Sequence, residues 1–459
     1  MRLWTALVLI ARLAAGSAAS RLALGQGPAA ALLTPRPSKG DAAGQRDDIA
    51  AFERQFLKAD RSYSPGSRAE AVKRLEDLRR KAGAISDTLF VLRLSQIAAL
   101  ADNGHTGVIY RGRHAEERHV GVRLASFGPD FAVVQAEASH ADLLGARLAA
   151  IDGTPIDGLR QVARTLAGGV ASRRDQMAPV LFESLDQLNA LGLTRSAQQA
   201  TYRFGLRDGA MREETLTAAD RGVRGGGCTF LNPENAAEGW GWRTLLAADK
   251  APWALREPRE NMRTRDLPDL DALVIQLRVN IDAGRSIEAF LDQAEAARRK
   301  TGRRNVILDM RMNGGGDLQL TRKWMSELPS HLPAEGRVVV LTSPCTFSAA
   351  ISSTGYLKQA GGARVVLVGE APGDRLRFWA EGPPVFLPHS GAMVLMATQR
   401  HDYITGCKGF DDCHDYVARH PIALPSLDPD IKAPWTLDAY AAGRDPGMEA
   451  AERVLSRAR

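Results

Sequence analysis

The chain has 459 residues, 44% of them hydrophobic, and its 60 Lys and Arg residues against 53 Asp and Glu residues give a formal net charge of +7. This length and composition allow more than one domain with a sizeable apolar core. The basic residues occur in short clusters that lie far apart, without interleaved aromatic residues. That distribution is typical of solvated surfaces and argues against a nucleic-acid-binding protein.

Residues 1–20 are predicted to be an export signal. Arg2 precedes an apolar stretch over residues 3–15, and the small residues at 16–20 offer a cleavage site. Arg12 interrupts the stretch, which is too short to span a bilayer, and no other segment of the sequence is long and apolar enough. We therefore expect a periplasmic or secreted protein without an integral membrane segment after signal removal.

Residues 45–105 are predicted to form a helical bundle. Apolar residues at helical spacing indicate a helix over 47–59, Ser67 to Glu70 matches a capping box that opens a helix to about Lys81, and a third helix covers 87–101. The third helix is followed by His105. Taken alone, His105 in such a turn is a loop histidine that hydrogen-bonds the backbone.

Residues 106–220 are predicted to be β-rich, with helices around 179–191 and strands near 200–206. The segment 144–156, which returns to an Ile-Asp-Gly turn, resembles PDZ-like modules, whose members bind extended peptides at a sheet edge. The carboxylate-binding loop that is usual in PDZ domains is not recognisable in the sequence. We therefore expect a degenerate PDZ-like domain, and whether it binds peptides is left open. Residues 221–264 are predicted to be a connector.

Residues 265–459 show alternating strand and helix patterns. Short β-branched runs predict strands at 273–277, 305–310, 338–341 and 365–368. Amphipathic segments predict helices at 287–300, 320–327 and 351–359. The alternation predicts an α/β layered core built from crossover units.

Two of these strands end in loops that suit catalysis. Gly314 and Gly315 begin a glycine-rich loop whose N–H groups can converge on an oxyanion. Ser348 lies at a strand-to-helix junction, where the helix dipole favours developing negative charge. Taken singly, a glycine loop usually turns the chain and a Ser before a helix is usually an N-cap. Together they indicate a serine hydrolase.

From about Asp271 onwards the chain resembles the tail-specific, or C-terminal-processing, serine peptidases and their tricorn-core relatives. The matching segments are 306–316, 346–350, 365–370 and 427–431. The resemblance implies a crotonase-like βαβ catalytic core, Ser348 as the nucleophile, and the N–H of Ser348 or Ala349 in an oxyanion hole with a glycine N–H. It implies a peptide or protein substrate and no metal or cofactor.

Members of this family are known with one of two general bases, a Lys or a His. The position of the catalytic Lys in the C-terminal-processing version is held here by Arg375, and no Lys occurs from 371 to 406. A guanidinium stays protonated and cannot take a proton from Ser348. The resemblance therefore favours the tricorn-like version, with His105 as the base, although Gly104 stands where those relatives have a Ser.

A histidine base normally needs an acid that fixes its tautomer. Glu370, at a strand end, is the expected partner, and Asp102 lies close to His105 in sequence. The glutamate of tricorn-like relatives would fall in a segment that this chain replaces with 403–415. That segment adds three further candidates, and the choice stays open: Asp411, Asp412 and Asp415.

The positions of the cysteines are consistent with a protein that resides in an oxidising compartment. Cys407 and Cys413 flank a short loop and could form a local disulfide near the active site. Cys228 and Cys345 are too few and too scattered for a zinc cluster.

The sequence thus predicts an exported serine peptidase with a Ser nucleophile and a His base. A non-catalytic protein that binds peptides or apolar ligands on the same scaffold is the alternative, motivated by the altered loops at Gly104 and Arg375. An acyl-CoA-processing crotonase relative is a weaker alternative, because it leaves the Ser348 segment without a purpose. The oligomeric state is left open.

Overall fold

The computed structural model describes residues 41–109, 118–219, 231–233 and 241–456. The predicted signal sequence, Cys228 and parts of the predicted connector lie outside these ranges. The described chain is a mixed α/β protein with several sheets. Within it, none of the helices is long and apolar enough to cross a membrane, and no group of three or more His, Cys, Asp or Glu side chains could hold a metal ion.

The N-terminal helices form where the sequence predicts them, although the first two start earlier than predicted. Their bounds are α1 Ala42–Ala51, continued by a π-helical segment Phe52–Leu57, α2 Pro65–Arg80 and α3 Asp87–Ala99. The capping box predicted at Ser67 is wrong: Ser64 is the N-cap of α2, and its Oγ accepts the Ser67 N–H at 3.1 Å. Pro65 favours this earlier start because its ring presets a helical φ at the first position.

The helices share their core with a late part of the chain. β1 (Gly107–Ile109) pairs with β16 (Met393–Leu395), which pairs with β15 (Val385–Phe386), in an antiparallel sheet. Phe52 and Phe56 are buried in one apolar cluster with Val385 and Val394. The bundle is therefore not a separate packing unit, and residues 385–396 complete it.

The β-rich region is a second sheet with order β2-β3-β4-β6-β7, in which β5 pairs with β4 and β8 pairs with β3. Its strands are β2 Val122–Phe127, β3 Asp130–Glu137, β4 Arg147–Ile151, β5 Thr154–Pro155, β6 Gln199–Gly205, β7 Met211–Thr217 and β8 Trp242–Thr244. Its helices are α4 Ile156–Arg164, α5 Ala171–Met177, α6 Pro179–Glu183 and α7 Leu185–Ala190. These elements bury a core of their own, including Phe131, Phe182 and Tyr202.

The central sheet has six strands in the order β18-β13-β12-β11-β10-β9, with β9 antiparallel and the others parallel. Its strands are β9 Met262–Leu267, β10 Ala272–Leu277, β11 Asn305–Asp309, β12 Val338–Thr342, β13 Val365–Gly369 and β18 Ile431–Lys432. Strands β10, β11 and β12 are buried throughout, as continuous apolar runs in a covered parallel sheet require.

Helices cover both faces of this sheet. They are α8 Ile287–Thr301, α9 Gln319–His331, α10 Ala349–Gly361 and, at the C-terminus, α13 Pro446–Ser456. α8, α9 and α10 pack into one core cluster, and Leu455 of α13 packs into another with Ile307 and Val339. The carboxyl ends of β11, β12 and β13 therefore meet at one edge, which positions the loops that follow them.

The remaining elements lie between β13 and α13 along the chain. β14 (Arg377–Glu381) and β17 (Ala397–Asp402) form an antiparallel pair, and α11 (Asp415–Arg419) and α12 (Leu437–Ala441) are short helices on either side of β18. Cys407 and Cys413 are joined by a disulfide, as the sequence suggested. Cys345 is also disulfide-bonded.

Candidate active site

Ser348 lies in a strained turn at the start of α10. Its backbone has φ 55° and ψ −126°, a region that non-glycine residues rarely adopt. The preceding loop is anchored by Thr346 Oγ1, which donates to Met310 O at 2.9 Å, and by Phe347 N–H, which donates to Asn313 O at 3.0 Å. Such strain costs about 1–3 kcal/mol and persists where surrounding contacts over-determine it.

The N-cap alternative for Ser348 is not supported. Its side chain accepts no capping hydrogen bond from the first turn of α10. Ala349 is the first residue of that helix, so its N–H has no acceptor within the helix. The Ser348 side chain and the Ala349 N–H are both left available for a ligand.

The glycine loop packs directly against Ser348. A Cβ atom on Gly315 would lie 2.5 Å from Ser348 Cβ, and Gly315 has φ 101°, so only glycine fits. The Gly315 N–H donates to Asn313 Oδ1 at 2.9 Å, whereas Gly314 is exposed, with open space where its Cβ would be. Of the predicted oxyanion donors, Gly315 is thus engaged within the loop, and Gly314 and Ala349 are the better placed.

An asparagine pair fixes the glycine loop to α10, and sequence reasoning missed it. Asn313 Nδ2 donates to Asn280 Oδ1 at 2.8 Å, and Asn280 Nδ2 donates to Ser353 Oγ at 2.9 Å. The Asn280 N–H also donates to Gly315 O at 2.8 Å. The two loops that flank Ser348 are therefore held as one unit.

His105 is brought to the same place by the turn after α3. Its ring is stacked against Phe347, with centroids 4.3 Å apart, and against Phe378 on β14, with centroids 4.9 Å apart. His105 Nδ1 lies 3.4 Å from Asp374 Oδ2. Neither ring nitrogen of His105 has a hydrogen-bond partner among the described residues, so the structure contains no Ser348–His105 hydrogen bond.

Asp374 is the acid at His105, and it was not among the predicted candidates. Its side chain is 1% exposed. A Cβ on Gly104 would lie 2.6 Å from Asp374 Oδ2, which explains why no Ser stands before His105. Asp374 directly precedes Arg375, so the comparison that singled out Arg375 in the sequence pointed to the right segment.

The predicted acids lie elsewhere. Glu370 accepts a hydrogen bond from the Trp435 N–H near Arg311, and burial raises its pKa while those two contacts oppose the rise. Asp102 pairs with Arg174 and with Arg375. In the 403–415 segment, Asp412 pairs with Arg400 at 2.8 Å, Asp411 is exposed, and Asp415 begins α11.

Arg375 is tied to the loop that carries His105. Its guanidinium donates to Asp102 O at 2.7 Å and to Asp102 Oδ2 at 2.8 Å. The side chain therefore braces the turn before His105, and a proton-accepting role is excluded by its chemistry.

A second histidine lies behind His105. His401, 3% exposed, stacks on the Phe378 ring at 4.9 Å, and its Nε2 lies 3.3 Å from Glu381 Oε1. Its Nδ1 lies 2.8 Å from Tyr403 Oη, which lies 2.6 Å from Ser352 Oγ on α10. Sequence reasoning did not identify this group, because its members are brought together only by the β14–β17 pairing.

The β-rich region also reaches the site. The Arg173 guanidinium of α5 lies 3.8 Å from the Phe347 ring centroid, on the face opposite His105 because both groups stack closely on that ring. Burial lowers the pKa of Arg173 to about 10, and the charge of Asp374 opposes this. Arg173 thus contributes a positive charge near the Asp374 carboxylate.

The architecture is similar to that of several solved structures. No protein-family model matches the sequence, and no curated protein matches it. The fold is similar to that of mature CPAF complexed with lactacystin, with 12% identity and a TM-score of 0.56 over 91% of this chain and 99% of that one. A CPAF mutant in which a serine is replaced by alanine gives 11% identity and a TM-score of 0.57 over 90% and 98%.

The photosystem II D1 C-terminal processing protease is a more distant likeness, with 16% identity and a TM-score of 0.38 over 90% of this chain and 97% of that one. The likeness to CPAF spans nearly the whole of both chains. At the level of the fold, the predicted resemblance to the tail-specific and C-terminal-processing peptidases is confirmed.

Proposed function

We propose that this chain is an exported serine peptidase in which Ser348 is the nucleophile and His105 is the general base. One observation carries the proposal: the strained Ser348 lies between Gly315, which approaches its Cβ, and Phe347, whose ring stacks on His105. Strained backbone around an uncapped serine next to a histidine is typical of a nucleophile turn.

The residues take the following roles. Ser348 Oγ bonds to the carbonyl carbon of the scissile peptide while His105 Nε2 takes the hydroxyl proton. The carbonyl oxygen becomes an oxyanion, which accepts from the N–H groups of Gly314 and Ala349. His105 then donates the proton to the leaving amine as the C–N bond breaks. Water hydrolyses the acyl-enzyme by the same steps and regenerates Ser348.

Asp374 orients the base. With Nδ1–H of His105 directed to Asp374 Oδ2, Nε2 is the free nitrogen that faces the reaction. The 3.4 Å separation is long for a hydrogen bond, and such contacts often tighten only when substrate binds. We infer the same for the pair of His105 and Ser348.

The proposal includes the finer assignments made from the sequence. Residues 1–20 act as a signal peptide, which directs the protein to the periplasm or the exterior. Residues 265–459 form a crotonase-like catalytic domain, preceded by a bundle at 45–105, a PDZ-like region at 106–220 and a connector at 221–264. The Cys407–Cys413 disulfide supports an oxidising compartment. Peptides or proteins are the substrates.

The test is covalent labelling of Ser348. A fluorophosphonate probe is expected to label the wild type and to fail with Ser348→Ala and His105→Ala, whereas Ser330→Ala, which removes an exposed serine at the end of α9, is the matched control. Lactacystin, present in a CPAF structure, is a second probe for the same serine. Hydrolysis of a peptide library that survives in Ser348→Ala would contradict the proposal. Peptide binding without labelling or hydrolysis would instead support the non-catalytic alternative.

A further inference from the structure

The turn that carries His105 is closed by two hydrogen bonds between its end residues. Thr106 N–H donates to Asn103 O at 3.2 Å, so residues 103–106 form a β-turn in which Gly104 and His105 are the central pair. The side chains at the two ends are bonded as well, because Asn103 Nδ2 donates to Thr106 Oγ1 at 3.0 Å. Both end residues are buried. The backbone position of His105 is therefore set by Asn103 and Thr106.

Asn103 also ties this turn to β14. Its Oδ1 accepts the Trp379 N–H at 3.1 Å, and its Nδ2 donates to Trp379 O at 2.9 Å. β14 and β17 form a two-stranded sheet, and the outer edge of such a sheet presents unpaired N–H and C=O groups. The Asn103 carboxamide takes the place of a neighbouring strand at one residue of that edge. Because Trp379 supplies one donor and one acceptor, the orientation of the amide is determined.

The anchor residue on β14 is next to a ring that contacts His105. Phe378 directly precedes Trp379, and its ring is stacked on that of His105 with centroids 4.9 Å apart and an interplanar angle of 7°. The Phe347 ring is also stacked on His105, at 4.3 Å and 22°. The bonds between Asn103 and Trp379 thus fix the register in which the imidazole meets Phe378.

The other end of the turn is tied to β17 through Asp60. Thr106 Oγ1 donates to Asp60 Oδ2 at 3.1 Å, and the same oxygen accepts the N–H of Ala397, the first residue of β17, at 2.8 Å. Asp60 Oδ1 accepts the Ser62 N–H at 2.9 Å. Since each carboxylate oxygen accepts a backbone N–H, neither could be exchanged for the NH₂ of an amide. Both ends of the turn are therefore anchored to the β14–β17 pair.

We propose that Asn103 is a positioning residue for the base, acting on His105 through its bonds to Trp379 and Thr106. The inference rests on the proposed function, in which His105 Nε2 must reach Ser348 Oγ. A misplacement of about 1 Å in a catalytic group can cost about 100-fold in rate. Asn103 acts only by holding the turn, so its loss impairs proton transfer and leaves substrate contacts unchanged.

The first experiment compares two buried asparagines. Asn103→Ala removes both bonds to Trp379 and the bond to Thr106, and we expect kcat to fall by about 100-fold with KM unchanged. The matched control is Asn305→Ala, at the start of β11. Asn305 likewise joins two backbone groups, because its Nδ2 donates to Leu270 O at 3.3 Å and its Oδ1 accepts the Arg337 N–H at 3.0 Å. The control should lose stability and keep kcat.

The second experiment tests the hydroxyl of Thr106. Thr106→Val keeps the shape of the side chain but leaves Asn103 Nδ2 and Asp60 Oδ2 without this partner, so kcat should fall by roughly tenfold. Thr106→Ser retains the hydroxyl and should restore kcat close to the wild type. Each variant is assayed at a temperature at which circular dichroism shows that it is folded.

The third experiment observes His105 without any need for catalysis. The full chain is labelled with carbon-13 at histidine Cε1, and the His105 resonance is assigned from its loss in His105→Asn. The Phe347 and Phe378 rings are expected to shift the His105 Hε1 resonance upfield. In Asn103→Ala and Thr106→Val the resonance should move towards that of an exposed histidine, whereas in Asn305→Ala it should not move.

The outcomes distinguish this inference from the proposed function. An unmoved His105 resonance in both Asn103→Ala and Thr106→Val would overturn the inference, whether or not the chain hydrolyses peptides. Equal losses of kcat in Asn103→Ala and Asn305→Ala, or in Thr106→Val and Thr106→Ser, would also overturn it, since they would indicate a packing role. If wild-type Ser348 is neither labelled nor active, the proposed function fails, and the His105 resonance still decides whether Asn103 positions that ring.

Discussion

His105 Nδ1 and Asp374 Oδ2 lie 3.4 Å apart, and neither atom has a hydrogen-bond partner among the described residues. Buried polar atoms are rarely left unsatisfied, and exceptions tend to mark functional sites. The loop after β13 thus places a carboxylate beside a histidine that comes from the other end of the chain. This relation makes Asp374, not Glu370, the acid on which the proposed base depends.

The first prediction concerns Asp374→Asn. The amide keeps the shape of the side chain but stabilises neither the required tautomer nor the imidazolium, so we expect kcat to fall by about 10³- to 10⁴-fold. Peptide hydrolysis at pH 7 measures the change, and Asp412→Asn, which removes the partner of Arg400, is the control acid. Wild-type kcat in Asp374→Asn together with a large loss in Glu370→Gln would restore the assignment made from the sequence.

The second prediction concerns Gly315→Ala. An added Cβ would meet Ser348 Cβ at 2.5 Å, Phe347 O at 2.8 Å and Ala349 N at 3.1 Å. The glycine loop and the Ser348 turn would both have to move, so labelling of Ser348 should be abolished. Gly302→Ala is the matched control, because Gly302 also has positive φ, at 71°, but open space around its Cβ.

Gly302→Ala separates backbone strain from crowding. It should cost about 1 kcal/mol of stability through strain alone and leave the labelling rate unchanged. Equal labelling of Gly315→Ala and Gly302→Ala would show that the approach of the glycine loop to Ser348 has no bearing on its reactivity.

The sequence predicted the strands of the central sheet well because their signals are local. Strands β10 to β13 are short apolar runs between turn residues, and each lies within one or two residues of its predicted bounds. Ser348 and Gly315 stand out for the same reason, since strand-end loops of a parallel sheet meet at one edge. His105 was proposed as the base from the order of motifs along the chain.

The partners of His105 could not be predicted, because tertiary packing selects them. Asp374 is 269 positions away along the chain, and the two residues meet only in the folded chain, where Gly104 also approaches the carboxylate, at 2.6 Å from a Cβ position. His401 gives no periodic or motif signal at all. The shared core of the N-terminal helices with Val385 and Val394 was likewise hidden from local patterns.

The third prediction tests whether the general base is His105 or a lysine placed at position 375. Because Arg375 is anchored to the backbone and carboxylate of Asp102, a lysine there would be directed at Asp102 as well. His105→Ala should therefore be inactive, and His105→Ala/Arg375→Lys should remain inactive up to pH 10. Arg375→Lys alone, measured in parallel, should lose no more than a few-fold in kcat/KM. Alkaline activity in the double variant would indicate a latent Ser/Lys mechanism.

The fourth prediction concerns stability against pH. Burial alone would raise the pKa of Asp309, but the charge and hydrogen bonds of Arg311, which also binds Asp445 at 2.6 Å, bring it below its usual range. An aspartate in the unfolded chain titrates at about 3.9. Ionised Asp309 therefore stabilises the fold above that pH, and the contribution is lost as pH falls through the native pKa.

The measurement is urea unfolding of the wild type and Asp309→Asn from pH 7 to pH 3. Breaking this buried pair should cost about 3–5 kcal/mol at pH 7, and the difference in free energy of unfolding should shrink towards pH 3. Asp292→Asn, at an exposed position on α8, should show no such difference. If the difference in free energy of unfolding between the wild type and Asp309→Asn stayed constant with pH, Asp309 would not be ionised in the folded protein.

The last prediction concerns the Cys407–Cys413 disulfide, which closes a loop of sequence separation 6. Loop closure of this length stabilises by roughly 2 kcal/mol, so Cys407→Ala/Cys413→Ala should lower the free energy of unfolding by that amount. The variant is a sharper test than a reductant, because Cys345 is disulfide-bonded too.

Loss of this bond should change activity little. His414, whose ring stacks on that of His401 with centroids 5.4 Å apart, is also held by its N–H bond to Arg400 O at 2.9 Å, and Arg400 N–H donates to Asp412 O at 2.9 Å. Since those bonds remain, kcat/KM at 25 °C should stay within about threefold of the wild type. A much larger loss would mean that the disulfide itself holds His414 in place against His401.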